Sequence, residues 1–389
     1  MRVCAVSYKE SWRDASGRWF STGGFPRQMQ AIGSLFDAMT LVITEGPARP
    51  GGIALPDGAR IVALPTPGGQ GGRRKLAILA RLPRYLGAIR EASRDADVIH
   101  VPLPGDIPLL AMLFAIRARK RLLARYGGSW VTTSETTIMN RLTRQLMRSF
   151  AGGRNVMLAT GEADRPPARG LAWVFSTAMS RAEWSAISVD LDRGLSDPPR
   201  LSYVGRLSRE KGVDVLVEAL AQLRAEGFSP LPRVTLIGDG PERERLGALV
   251  GGLACQDLIT FAGQADRRDL SRLLSRTDVV VQPSRTEGFS KAWIDALAHG
   301  VPVLASEVGA ARSVLGADGE RGWLLPPGEV GALARGLRRL ATERVDWPAL
   351  RRRCRTYAGA RTLEAWASSI GTLCADQWGI RFQEGRLVA

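Results

Sequence analysis

Cysteine is scarce in this chain of 389 residues, and its four copies, Cys4, Cys255, Cys354 and Cys374, stand far apart with no CxxC pair. That spacing supports neither a disulfide framework nor a zinc knuckle and suits buried thiols in a reducing compartment. Long apolar runs are missing too. The longest, Ile107 to Ile116 (IPLLAMLFAI), stops well short of the roughly 18–20 residues of a membrane-spanning helix and reads as a core helix. The opening residues, MRVCAVSYKE, lack the apolar core of a secretion signal and read as a buried strand running into a polar loop, so a cytoplasmic location is expected. No repeat recurs along the chain, and the only biased stretches are short Gly/Pro segments, 46–52 and 65–72, which read as loops. Gly238-Asp239-Gly240 lacks the third glycine of GxGxxG, which argues against a nicotinamide cofactor. Two acidic pairs, Asp95 with Asp97 and Asp190 with Asp192, sit before a strand and in a linker and read as solvated, so neither metal nor cofactor is expected.

What remains is an ordinary globular composition, 45% apolar and 24% charged, on a chain long enough for two domains. The net charge of +16 is uneven: residues 1–199 hold 27 Lys and Arg against 16 Asp and Glu, a surplus of 11. Much of the surplus lies in Arg73, Arg74, Lys75, Arg81, Arg84, Arg90 and Arg94, interleaved with Leu76, Ile78, Leu79, Leu82, Leu86 and Ile89. Such a basic amphipathic helix, broken near Pro83, fits either an anionic lipid surface or plain solvent exposure. No nucleic-acid recognition motif accompanies the charge, so no nucleic-acid partner is expected.

The stretch 190–200 (DLDRGLSDPPR) reads as an interdomain linker, giving domains 1–192 and 200–361 and a last helical segment, 362–389. After the linker, short apolar strands at 201–205, 233–238, 258–263, 278–283 and 301–306 alternate with helical stretches at 212–227, from about 242, 269–275 and 290–299. This is the grammar of a doubly wound α/β domain with a parallel sheet covered on both faces. The first half repeats it less clearly, with strands expected at 1–7, 38–43, 59–64, 96–101 and 121–126. Two Rossmann-like domains facing a central cleft are expected, with ligands at the carboxyl ends of the strands.

Two motifs occupy such strand ends. Gly205-Arg206-Leu207-Ser208-Arg209-Glu210-Lys211-Gly212 runs from a strand into a helix, and its two cations, five residues apart, are spaced to bracket a diphosphate. Any basic surface turn would look the same in isolation. The second motif runs from Pro283 to Gly300 (PSRTEGFSKAWIDALAHG) and carries Glu287 in the loop and Asp295 eight residues on, inside the helix. Carboxylates so placed suit the hydroxyls of one extended ligand, while a capped helix with a solvent-facing Asp is the plainer reading.

In combination the motifs resemble the retaining, nucleotide-sugar-dependent glycosyltransferases of group 1, which have the two-domain GT-B fold. The likeness rests on GRLSREKG at 205–212, LIGDGPERERL at 236–246, ITFAGQ at 259–264, VVVQPSRTEGFSKAWIDALAHGVPVLAS at 279–306, and Val308-Gly309. It implies that Arg206 and Lys211 hold the donor diphosphate and stabilise the leaving nucleotide without a metal. It also implies that Glu287 meets hydroxyls of the transferred sugar, with the backbone of Gly288, Phe289 and Ser290 beside sugar and phosphates. Asp295 takes the place of the second glutamate of the family's E-x7-E pattern, which binds the ribose; the side chain is one methylene shorter here. In the first half, Ser21-Thr22-Gly23-Gly24-Phe25 matches the family's glycine-rich loop, and Gly23 and Gly24 join Gly205 as donor-binding glycines. Where many members carry a catalytic His, this chain has Tyr126 and Gly127. His100 matches a different family position, as a wall of the cleft or as a satisfied core histidine. The last helix resembles the family's crossing back to the first domain.

The expected activity is retaining transfer of a sugar, UDP-linked or carried by another nucleoside diphosphate, to a glycan or lipid-linked acceptor, with a peripheral association at the inner membrane face. A sugar-phosphate synthase or phosphorylase of the same fold is a rival reading. So is a nucleotide-sugar-binding subunit without turnover, to which Asp295 and the absent His lend weight.

Overall fold

The computed structural model describes residues 1–68, 71–130, 132 and 136–389, with side chains for all of these but 71–75. The side chains of Arg73, Arg74 and Lys75 in the basic stretch therefore lie outside the described residues. The chain divides into two compact units, Met1–Ala178 with Leu363–Ala389, and Met179–Thr362.

Unit 1 runs β1 (Arg2–Arg13), β2 (Trp19–Ser21), α1 (Phe25–Gly33), β3 (Ala38–Glu45), β4 (Ile53–Ala54), β5 (Arg60–Pro65), α2 (Gly71–Ala80), α3 (Leu82–Ala92), β6 (Val98–Leu103), α4 (Asp106–Arg117), β7 (Arg121–Tyr126), α5 (Ile138–Phe150), β8 (Asn155–Thr160) and β9 (Leu171–Val174). Its parallel core has the order β5-β3-β1-β6-β7-β8-β9, and β2 and β4 extend it antiparallel from the far end of β1. Alternate residues of β1 feed opposite cores, Val3 and Ala5 on the face covered by α1, Cys4 and Val6 on the face covered by α3 and α4. With both faces buried the strands read as continuous apolar runs. The apolar run 107–116 is α4, which buries Ile107, Leu109, Ala111, Met112 and Ala115. Among the described residues no helix is long and apolar enough to cross a membrane. The basic stretch breaks between α2 and α3, and Pro83 sits in the first turn of α3, where its missing N–H costs nothing.

Unit 2 runs α6 (Arg181–Ala186), β10 (Arg200–Val204), α7 (Val213–Ala225), β11 (Arg233–Ile237), α8 (Arg243–Gly252), β12 (Ile259–Gly263), α9 (Arg267–Ser275), β13 (Val279–Gln282), α10 (Lys291–Ala298), β14 (Val303–Ser306), α11 (Ala311–Leu315), β15 (Gly322–Leu325), α12 (Val330–Thr342) and α13 (Trp347–Gly359). All its strands are parallel, in the order β12-β11-β10-β13-β14-β15. The order reverses between β10 and β13, so the loops leaving these two strands part company there, which is where doubly wound sheets bind ligands. The chain then returns to unit 1 through α14 (Leu363–Trp378), β16 (Arg381–Gln383) and β17 (Arg386–Val388). Trp366 is wholly buried against the α1 face of the unit 1 sheet, and Trp378 donates from its indole N–H to the Arg154 carbonyl at 3.0 Å.

The boundary falls at Ala178/Met179, upstream of residues 192–200 where the sequence places it. Proline and polar residues give 190–200 the look of a free linker, but ionic contacts fasten it to unit 2. Asp278, wholly buried at the start of β13, accepts from Arg193 Nη1 and the Arg200 N–H, both at 2.9 Å, and from Ser196 Oγ at 3.2 Å. Arg351 of α13, also wholly buried, donates to the Arg193 carbonyl at 3.1 Å, and Arg355 donates to the carbonyls of Trp184 (3.1 Å) and Ile187 (3.0 Å). Removing the carboxylate would leave two guanidinium groups without their anion. Asp278→Ala is expected to cost about 3–5 kcal/mol of stability, read from urea unfolding; a loss below about 1 kcal/mol would show that the linker does not depend on it.

Candidate functional site

The loops at the switch point of unit 2 are drawn together by backbone. Gly212 adopts φ +65°, and a Cβ there would sit 2.1 Å from the Pro283 carbonyl oxygen, so only glycine lets the loop after β10 lie against the loop after β13. The contact is stitched by the Arg285 N–H donating to the Glu210 carbonyl at 2.8 Å, and by the Arg285 guanidinium gripping Asp214 of α7 through two bonds, 2.8 and 3.1 Å. Burial alone would raise the Asp214 pKa, but the Arg285 and Arg245 contacts outweigh it and hold that carboxyl below its usual range. From the other side Gly309, φ +56°, packs under the turn: a Cβ would meet the Glu287 carbonyl oxygen at 2.3 Å, and the Ala310 N–H donates to the Gly288 carbonyl at 2.9 Å.

Lys211 and Glu287, 76 residues apart in sequence, consequently form an ion pair, and the second Glu287 oxygen accepts the Gly288 N–H at 3.2 Å. Arg206, at the start of the same loop as Lys211, is exposed, and its guanidinium has no hydrogen bond or ion pair among the described residues. Gly205 and Arg206 line a cavity of about 630 Å³ with Gly238, Asp239, Gly240, Gln264 and Leu270, at the carboxyl ends of β10, β11 and β12. Gly288 and Ser290 lead into α10, whereas the Phe289 ring is buried and tilts against Trp293 at 6.0 Å, leaving Phe289 only its backbone to offer.

Asp295 lies one turn into α10 and is not free. Its Oδ1 accepts from Arg267 Nη1 of α9 at 2.6 Å, and the same guanidinium approaches Glu183 of α6 at 3.6 Å. Burial opposes the charge on Arg267, yet the two carboxylates prevail and raise its pKa. The Asp295 carbonyl accepts from His299 Nδ1 at 2.7 Å, and His299 Nε2 accepts from Ser271 Oγ at 2.8 Å. These residues border a second cavity of about 580 Å³. The sequence reading missed Arg267, Glu183, His299 and Ser271, because partners on separate helices leave no local spacing; only the shorter acid at 295 signals a changed environment.

In unit 1 Gly23 is exposed at φ +69° and Gly24 caps α1. The expectation that His100 and Tyr126 line a cleft is corrected by burial. His100 sits wholly buried in β6, donating from Nδ1 to the Leu123 carbonyl at 2.9 Å, because its side chain faces the core under α1 and α14. Tyr126, 1% exposed, stands edge-on to Trp130 at 5.6 Å; Gly127 beside it is exposed.

Residues 193–361 match the family described as "Glycosyl transferases group 1". The phosphatidyl-myo-inositol mannosyltransferase of Mycobacterium leprae is 30% identical over 273 residues, 67% of this chain and 67% of that protein. This chain belongs to the group 1 glycosyltransferase family. The sulfoquinovosyl transferase SQD2 of Arabidopsis thaliana is 27% identical over 289 residues, 68% of this chain and 53% of its own length. The match spans 46% of the alpha-D-kanosaminyltransferase of Streptomyces kanamyceticus, so the chain covers about half the length of these two curated relatives. Among solved structures, the sucrose-phosphate synthase of Thermosynechococcus elongatus superposes with a TM-score of 0.70 at 21% identity, covering 97% of this chain and 99% of that one. Anabaena HepE in complex with UDP-glucose gives 0.69 at 16%, with 97% and 99% covered. The glycosyltransferase fold is therefore GT-B, built of two Rossmann-like domains.

The buried histidine of this glycosyltransferase makes its stability depend on pH. Burial, then the nearby Arg125 charge, pull the His100 pKa down from 6.5 to about 3 against the opposing effect of the Leu123 carbonyl. Below about pH 6.5 the unfolded chain takes up a proton that the folded chain refuses, so stability falls with pH through that range. Between pH 7 and pH 5 the wild type is expected to lose about 2 kcal/mol more than His100→Asn, measured by urea unfolding at each pH. Equal losses in the two proteins would refute the assignment.

Proposed function

We propose that this glycosyltransferase moves a sugar from a nucleoside-diphosphate donor to an acceptor hydroxyl with retention of anomeric configuration. The observation that carries the reading is the meeting of Lys211 with Glu287 across the two loops of the switch point, in the same loop as Arg206, which lines the cavity bordered by Gly205, Gly238 and Gln264 and has no side-chain partner among the described residues. In that cavity the nucleoside base packs on Leu270. The diphosphate lies toward Arg206, whose planar fork takes two oxygens, and toward Lys211, which has donors left after meeting Glu287. Glu287 then receives hydroxyls of the transferred sugar, and the backbone N–H groups of Gly288 to Ser290 lie at the positive end of α10. As the bond between anomeric carbon and phosphate oxygen breaks, charge gathers on the diphosphate where the two cations stabilise it. The acceptor hydroxyl attacks from the same side and gives its proton to that departing oxygen. The fixed cations make a metal ion and a cofactor unnecessary in this scheme. HepE structures holding UDP and UDP-glucose support a UDP-sugar donor.

Thermal melts with UDP, GDP, ADP and TDP test the donor class, since a ligand at 100 times its Kd adds about 2.7 kcal/mol to the native state. One nucleotide is expected to raise the melting temperature, its sugar conjugate to be turned over, and Lys211→Ala to lower that rate by roughly 100-fold or more. Equal turnover by wild type and variant would remove the clamp. The Arg267–Asp295 pair favours a second reading, a subunit that binds nucleotide sugar without turnover, which predicts a melting shift with no sugar released.

The acceptor in this proposal is a glycan or a lipid-linked glycan, reached from the cytoplasmic side. Relatives named for phosphatidyl-myo-inositol and colanic acid support it. Leu76 and Leu79 of α2 stand 67% and 64% exposed near Arg81 and Arg84, and Ile138 of α5 stands 84% exposed near Arg141. These mixed basic and apolar surfaces suit a peripheral contact with anionic lipid. Vesicles containing phosphatidylglycerol are expected to co-sediment the protein at 50 mM salt and to release most of it at about 0.5 M, as screening shortens the Debye length to a few Å. Equal sedimentation with neutral vesicles would refute the charge argument.

A further inference from the structure

Unit 1 contains a buried cation with no anion. Arg125, 7% exposed near the end of β7, donates from Nη2 to Gln28 Oε1 at 3.1 Å and from Nη1 to Thr160 Oγ1 at 3.2 Å, while its guanidinium lies 5.4 Å from the Trp366 ring. All three partners are neutral, and among the described residues Arg125 forms no ion pair. Its Nε has no acceptor, and neither the buried Nε2 of His100 nor the buried indole N–H of Trp366 has a partner. Burial pulls the Arg125 pKa down to about 10, so the group stays charged at neutral pH. A buried guanidinium normally keeps a carboxylate beside it, because desolvation is otherwise uncompensated. In unit 2 the wholly buried Arg351 has Asp278 at 3.8 Å, whereas among the described residues Arg144, the other buried arginine of unit 1, meets only the Trp130 carbonyl at 2.6 Å, the Ser129 carbonyl at 3.4 Å and Thr132 Oγ1 at 3.1 Å.

The charge is not enclosed on all sides. Among the described residues outside its own chain neighbours, a Cβ built on Gly127 would find two atoms within 4 Å, the Leu103 carbonyl oxygen at 3.4 Å and Arg125 Nη1 at 3.8 Å. The guanidinium thus lies beside an exposed glycine at the carboxyl edge of the sheet, the edge where such sheets bind ligands. Through Gln28, whose N–H donates to the Gly24 carbonyl at 3.0 Å, it is also tied to the first turn of α1 and the Gly23-Gly24 loop.

We infer that Arg125 is the cation of an anion subsite over Gly127, which takes a carboxylate or phosphate group carried by the acceptor. The inference rests on the proposed transfer reaction for the word acceptor; the anion site itself does not. An anion there accepts from the Nη1 hydrogen not used by Thr160 and supplies the counter-charge that the fold withholds. Carboxylate and phosphate share this chemistry, and a sugar bearing either would be held by its charged end with the rest of the molecule over the glycine.

The test measures binding of glucose 6-phosphate, glucuronate and glucose to the full chain by calorimetry, without nucleotide, in wild type, Arg125→Met, Arg125→Lys and Gly127→Val. Wild type is expected to bind at least one of the two anionic sugars ten-fold or more tighter than glucose, and which one wins identifies the acceptor's anion. Arg125→Met is expected to lose that preference with an unchanged or raised melting temperature, and Arg125→Lys to keep part of it. Gly127→Val has backbone room for a side chain and is expected to block the anion while leaving the buried network and the melting temperature intact. Equal binding of all three sugars by wild type overturns the inference, as does a preference that survives both Arg125→Met and Gly127→Val. A fall in melting temperature in both Arg125 variants, with the preference intact in Gly127→Val, marks a structural role and also overturns it. UDP affinity, measured in the same samples, is expected to be unaffected. A parallel loss of UDP affinity in Arg125→Met would move the anion to the donor, while absent UDP binding in wild type speaks against the donor reading alone.

Discussion

The candidate site of unit 2 depends on one backbone contact, the approach of Gly212 to the Pro283 carbonyl. Strand order in unit 2 reverses between β10 and β13, so the loops that leave those strands turn to opposite sides of the sheet and would part. A residue without a Cβ closes the gap, and Arg285 locks it by bonding to Glu210 and Asp214. Only then do Lys211 and Glu287 share a space, with Gly309 holding the Glu287 turn from below. The chemistry is mounted on rigid strand ends, and its geometry follows from two glycines that carry no chemistry themselves.

Much of this was legible because it is local. Strands buried on both faces announce themselves as apolar runs, and the cations and acids at their ends fall in short loops of recognisable spacing. What escaped is edge or long-range, with one interior strand, β8 (NVMLAT), besides. β9 has four residues, LAWV, at one edge of its sheet, and β15 has four, GWLL, at the edge of the other; such short strands carry too few alternations to stand out. The linker misled for a related reason. Pro198 and Pro199 are visible locally, but the Asp278 and Arg351 that hold it lie 78 or more residues away, and nothing in 190–200 reports them.

Asp295 shows how a short acid can be drawn into the protein's own contacts. A glutamate would reach one methylene further from α10, whereas the shorter aspartate, one turn into the helix, is met by Arg267 and held at 9% exposure. The carboxylate survives, but one of its two oxygens already accepts a bond within the protein. A ligand arriving there would meet an acid already joined to a cation and, through the Asp295 carbonyl, to the His299–Ser271 pair. The recognition surface is then an ion pair of fixed orientation in place of a lone carboxylate, with fewer rotamers to order on binding and less charge to offer.

The two units handle buried charge in opposite ways. In unit 2 the buried acids Asp278 and Asp295 each meet an arginine at bonding distance, which cancels most of the field beyond the pair. In unit 1 Arg125 is met by an amide oxygen, a hydroxyl and an indole ring. Neutral dipoles satisfy hydrogen bonds without cancelling net charge, so its field extends past its partners, and in a low-dielectric core little solvent screens it. Beside its Nη1 lies Gly127, exposed and without a side chain of its own. Whatever anion occupies that edge relieves a cost the fold already bears, and its affinity comes from that prepaid desolvation more than from new contacts.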